Sequence, residues 1–97
     1  MGQGSTGRAQ PMRRSQIAVL SWLIHANPDA PVHYLLRGEE WLAGGQLQNA
    51  RKDFARARAL AAQAYQGSAW GYIYQSYIDR ADAGLRQCDP TSSDPRI

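Results

Sequence analysis

The sequence predicts an all-α fold, and three observations carry that prediction. Along residues 15–88 apolar side chains recur at three- and four-residue spacings and never alternate with period two. The β-branched residues that favour strands are scarce against Ala, Leu, Gln and Arg. Breaker residues stand in clusters, at Asn27-Pro28, Gly44-Gly45, Gln66-Gly67-Ser68 and Asp89-Pro90, and cut the apolar pattern into four segments.

The chain opens with MGQGSTGRAQPMRR, residues 1–14, where Gly, Ser, Thr and Arg offer almost nothing to bury, so a flexible basic tail is expected. A first helix follows from Ser15 to Ala26, with Ile17, Leu20, Leu23 and Ile24 at helical spacing and Asn27-Pro28 as its stop. Two arginines ahead of a short apolar run also suggest a signal peptide read from Met12. Ser21, Trp22 and His25 interrupt that run and no clean small-residue cleavage site follows, so the segment is assigned to the fold. Gly2 followed by Thr6 fits the loose myristoylation pattern, which is short enough to match often by chance.

Asp29 is placed to cap a second helix, with Pro31 in its first turn where a missing N–H costs nothing, running to about Ala43. Gly44 and Gly45 end it, since glycine past the last turn takes the left-handed conformation without penalty. A third helix begins near Gln46 and puts Leu47, Ala50, Phe54, Ala57 and Ala61 on one face, with Arg51, Lys52, Asp53 and Arg56 facing away. The connection is so short that the two helices must form an antiparallel hairpin. After Gln66-Gly67-Ser68 a fourth helix carries Trp70, Ile73, Tyr74, Tyr77, Ala81, Leu85 and Cys88 on one stripe, and residues 89–97 form a second flexible tail. Residues 15–88 are thus one helical domain.

Gly38 sits among Tyr34, Leu36 and Trp41, where it gives up about 1 kcal/mol of helix propensity relative to alanine. Close approach of the partner helix explains its presence: Ala50, Phe54 and Ala57 offer a small, large, small sequence opposite it. With Tyr34, Gly38, Trp41, Gly45, Leu47, Ala50, Phe54, Ala57 and Leu60 at matching spacing, the stretch from Pro31 to about Ala64 resembles one tetratricopeptide repeat, a helix-turn-helix unit of about 34 residues. Arg37 departs from the pattern, where that family has an apolar residue, and Ala62 replaces the usual proline. One period earlier, Leu20, Leu23 and Pro28 fall on the positions of a preceding second helix. One period later the register slips, so that Tyr74 stands where a small residue belongs and the fourth helix reads as a cap held slightly further away.

The resemblance implies a protein-interaction adaptor or scaffold that offers a concave groove to a peptide or helix of a partner protein. Carried onto this chain, the groove positions are Val32, Leu35, Glu39, Leu42 and Ala43. Lysine, arginine and asparagine, which clamp acidic tails in that family, are missing there, so an amphipathic or mildly basic segment is the expected ligand. The alternative is that Leu35 and Leu42 pack under the first and fourth helices. About three repeats are usually needed for a stable stack, and a chain offering one hairpin and two flanking helices is expected to form a homo-oligomer or hold a permanent partner.

Charge and chemistry narrow the rival classes. The formal charge is +3 and the isoelectric point near 9.4, but Arg8, Arg13 and Arg14 supply that excess from the tail and the core is close to neutral. A nucleic-acid-associated role would use the third-helix ridge of Arg51, Lys52, Arg56 and Arg58, an alternative to a solvated outer face. Tyr72, Tyr74 and Tyr77 with Trp70 could stack on bases or form an interface, and Tyr72 lies off the apolar stripe. No enzyme, cofactor or metal site is expected: His25, His33 and Cys88 lack ligand spacing, Glu39 and Glu40 point apart on a helix, and no phosphate loop or nucleophile motif occurs. The single cysteine points to a reducing, cytoplasmic setting, and no run approaches the ~20 apolar residues of a membrane span.

Overall fold

The computed structural model describes the backbone of residues 3–66, 69 and 71–89, and the side chains from Arg14 onward. Its four helices are α1 (Gln3–Ala26), α2 (Pro31–Ala43), α3 (Leu47–Gln66) and α4 (Gly71–Cys88). Among the described residues there is no strand, and the fold is all-α. Gly2, Trp70 and residues 90–97, the expected second tail beyond Asp89, lie outside the described residues.

The backbone of α1 begins at Gln3 rather than at Ser15, so most of the stretch assigned to a tail continues the helix. Helix formation is cooperative: extending a formed helix adds a hydrogen bond for each residue fixed, whereas a new nucleus must fix a whole turn first. At the start of α2, Pro31 takes the first turn as expected, but the cap is Ala30, with extended backbone and no side-chain hydrogen bond. Asp29 therefore does not cap α2. The other end follows the glycine chemistry closely. Gly44 keeps φ at −89° and Gly45 alone turns left-handed at +80°. The Gly45 N–H donates to the Leu42 carbonyl at 3.0 Å and the Gln46 N–H to that of Trp41 at 2.9 Å, the paired bonds of a Schellman end.

The core lies where α2, α3 and α4 meet. Leu35, Ala50, Phe54, Ala57, Ala81 and Cys88 are buried, with Tyr34, Trp41, Leu42, Tyr77 and Leu85 packed around them. Phe54 is its centre, and a glycine flanks it on two sides. A methyl group at Gly38 would come within 3.0 Å of the ring, and one at Gly84 would overlap it. The close approach expected at Gly38 is thus present, and a second one joins α3 to α4. The expectation that α4 stands further off is corrected: Ala81 and Gly84 present no bulk, so its backbone comes up against the ring.

Two side chains of α3 depart from their expected faces. Leu47 is partly exposed at the helix start, and Asp53 is buried, at 4 % exposure, although its neighbours Arg51 and Lys52 face solvent. Arg37 supplies the reason. Its Nε and Nη2 donate to the two Asp53 carboxylate oxygens at 2.7 and 2.9 Å, and its Nη1 donates to Ser21 Oγ of α1 at 2.9 Å. The arginine that breaks the repeat pattern therefore ties three helices together. The hydrogen bonds to Asp53 hold its guanidinium above the ordinary value, against the opposing effect of burial.

Among the described residues α1 packs against α2 alone of the helices. Ile17, Leu20, Ser21, Leu23 and Ile24 form its half-buried face. Besides the Arg37 contact, the Gln16 amide, oriented with its nitrogen toward α2, donates to both Glu40 carboxylate oxygens at 3.1 Å.

Candidate functional site

The expected groove positions do not stand together on an open surface. Leu35 is fully buried in the core, Leu42 packs against it, and Glu39 forms an ion pair with Arg80 of α4 at 2.8 Å. Ala43 is exposed at the end of α2, and Val32 is half-buried near its start. Leu35 therefore packs as core, with Leu42 against that cluster, and Arg80 of α4 reaches Glu39 on the same helix. An apolar stripe marks a face to be covered, and here the covering element belongs to the same chain.

What stays open is a smaller cleft at the end of the bundle where α2 begins, α3 ends and α4 begins. Val32, Ala64, Ile73, Tyr74 and Tyr77 make its apolar lining, with Asp29 and Pro31 at the loop side, around a volume of about 310 Å³. The loop is fixed locally: the Tyr34 hydroxyl donates to the Pro28 carbonyl at 2.9 Å, and the Ala30 N–H to that of Asn27 at 3.2 Å. Tyr74 and Tyr77 meet edge to face with ring centroids 6.1 Å apart, which sets the angle of one aromatic wall. Tyr72 projects from the same turn and is 70 % exposed. Of the expected groove residues only Val32 belongs to this cleft, together with Tyr74 and Tyr77 of the aromatic stripe. The aromatic stripe of α4 was legible, and its Tyr74 and Tyr77 line this cleft, Tyr77 also packing against the core, while the shorter Ile78, Ala81 and Gly84 take the buried positions further along.

The cationic ridge of α3 is divided between its neighbours. Arg51 donates to the Cys88 carbonyl at 3.0 Å, Arg58 pairs with Asp82 at 2.6 Å, and the Arg56 guanidinium lies over the Tyr34 ring, 5.9 Å from its centroid. Lys52 faces solvent. Positions seven residues apart return to one side of a helix, so Arg51 and Arg58 both turn to α4 while Arg56 turns to α2. Three of the four cations thus make contacts to neighbouring helices.

A second open surface, which the sequence reading does not single out, runs along α1. Val19 is 58 % and Trp22 67 % exposed, and Ser15, Gln16, Val19 and Leu20 line a groove of about 460 Å³ with Leu36 and Glu40 of α2. The signal was present: between Ile17 and Ile24 apolar residues go right round the helix, so a single neighbour leaves part of them uncovered.

Among the described residues no cluster of His, Cys, Asp and Glu could hold a metal ion. His25 is exposed, and His33 Nδ1 is buried without a hydrogen-bond partner. Burial pushes the Cys88 thiol up, with Arg51 pulling the other way, so the reactive thiolate is disfavoured. No described helix is long and apolar enough to cross a membrane. Comparison with known proteins finds no matching family model, curated protein or solved structure.

Proposed function

We propose that this chain is a small tetratricopeptide-like adaptor that binds a peptide or helix of a partner protein in a cytoplasmic setting and performs no chemistry of its own. The observation that carries the reading is the cleft walled by Val32, Ile73, Tyr74 and Tyr77, with Asp29 at its edge. Aromatic walls give large contact area at low entropic cost, and its volume falls at the lower end of the roughly 300–1,000 Å³ that hold small ligands. It therefore suits one or two anchoring side chains better than a whole helix. An apolar anchor flanked by a basic residue fits this lining, the base meeting Asp29. The nucleic-acid alternative has less support, because Arg51, Arg56 and Arg58 are engaged within the fold.

The test is an affinity pull-down from native host extract, with and without nuclease and at low and high salt, comparing wild type with Val32→Asp/Tyr74→Ala after circular dichroism has verified the variant's helicity. A protein retained through nuclease and salt but lost with the double variant is the expected result. Capture of nucleic acid, or binding lost in salt yet indifferent to the variant, overturns the reading and returns the site to the α3 cations.

A further inference from the structure

We infer that the outer face of α1 is covered by a second copy of this chain, the two α1 helices lying antiparallel about a twofold axis. The inference rests on a different face from the adaptor cleft and shares only Asp29, at the cleft's edge, with it. Ser15, Val19, Trp22 and Ala26 are all exposed and recur at spacings of four, three and four residues, the heptad-like rhythm by which one helix presents a seam to another. Among the described residues no other helix reaches that seam, since α1 packs only against α2.

The seam is complementary to itself when reversed. A register that sets Val19 against the second copy's Trp22 also sets Ser15 against the second copy's Ala26, and the twofold repeats both pairs. A large residue thus meets a medium one at the centre, and small residues at the ends allow the helices to close. Beside Val19 lies the groove lined by Ser15, Gln16, Leu20, Leu36 and Glu40. The second copy's indole enters it, so each copy contributes a knob and a hole, as an isologous interface requires.

Charge selects the same direction. Arg14 is exposed at one end of the seam, and exposed Asp29 lies just past the other. In the antiparallel register Arg14 comes opposite the second copy's Asn27, within an arginine's reach of its Asp29 and of the carbonyl end of α1, where positive charge is favoured. A parallel pair would set arginine beside arginine. A hydrophobic or membrane-seeking occupant would draw no advantage from the acid at the far end.

Sedimentation velocity on the full 97-residue chain tests this, from about 1 to about 500 µM because one helix face per copy makes a small interface. Wild type is expected to pass from monomer to dimer across that range, and Trp22→Glu to raise the dissociation constant at least about tenfold. Arg14→Asp and Asp29→Arg are each expected to weaken the dimer about threefold or more, and the double reversal to restore it. Restoration separates pairing from a merely structural role. A wild-type monomer at every concentration, a dimer indifferent to Trp22→Glu, or single reversals without rescue in the double variant overturns the proposal. So does a monomer whose Trp22-dependent fluorescence shifts on vesicles of anionic phospholipid, an outcome that assigns the face to a membrane surface.

Discussion

At the scale of single residues, Phe54 and its two glycines decide how closely three helices meet. Gly84→Ala gains helix propensity of about 1 kcal/mol but inserts a methyl group into the ring's space, and overpacking costs about 1–3 kcal/mol. The expected result is a net loss of stability by urea unfolding, larger than for Gly38→Ala, where the neighbouring atoms stand at 3.0 Å and a small shift of the ring suffices. Adding Phe54→Leu to Gly84→Ala should recover part of what the alanine alone removes, and purely additive losses would show that the ring and the glycine do not share that space. Cys88 gives a residue-scale pH effect. Its folded thiol titrates above its ordinary value because it is buried. Above the ordinary thiol range, near pH 8.5, the unfolded chain has released a proton that the folded chain still holds, so stability is whole below that pH and falls as pH rises through the folded value. Comparing urea midpoints between pH 8 and about 9.5, wild type should fall more than Cys88→Ala. Equal slopes would mean that the thiol is not shielded.

At the scale of elements, the ends of α2, α3 and α4 were legible in the sequence because glycine and proline act locally, through the backbone they permit. Gly45→Ala should therefore cost about 1–2 kcal/mol, the penalty of a side chain in the left-handed region. Gly44→Ala, at an ordinary φ of −89°, should be close to neutral. Thermal midpoints of the two variants check this, and a larger loss at Gly44 would place the reversal one residue earlier. Contacts between elements were less legible, because periodicity marks an apolar face without naming what covers it. Leu35 and Leu42 therefore suited a groove or a core equally well until α4 settled on them. Asp53 looked like a solvated charge because its partner, Arg37, lies on another helix. The same dependence on neighbours sets local stability. α1 rests on α2 alone while α3 is flanked by α2 and α4, so native-state hydrogen exchange should be at least about tenfold faster in α1 than in the buried turns of α3. Equal protection in a chain held monomeric by dilution would show that α1 unfolds only with the rest.

At the scale of the whole molecule, the question is which helices form the cooperative unit. A chain of 97 residues has little apolar area in reserve, and here that area is concentrated where α2, α3 and α4 converge. Of the buried cluster, Ala81 and Cys88 come from α4, as do the Arg80 and Asp82 side chains that reach Glu39 and Arg58 across the helix boundaries. The α2 and α3 hairpin, although it carries the whole of the repeat-like stretch, is therefore an incomplete fold: without α4 it would expose Leu35 and one side of Phe54 together. Ending the chain after Gln66 should abolish cooperative unfolding and reduce helicity by more than the share of α4 in the residues removed. Removing residues 1–26 strips a helix that, among the described residues, touches only α2, and cooperative unfolding should survive at a lower midpoint. Circular dichroism melts of the two truncations decide the matter by their asymmetry. A hairpin that still melts cooperatively would make α4 an appendage, free to leave the Leu35 and Leu42 face to a partner, whereas loss of the transition in that truncation alone fixes α4 as part of the core and confines partner binding to the surfaces it leaves open.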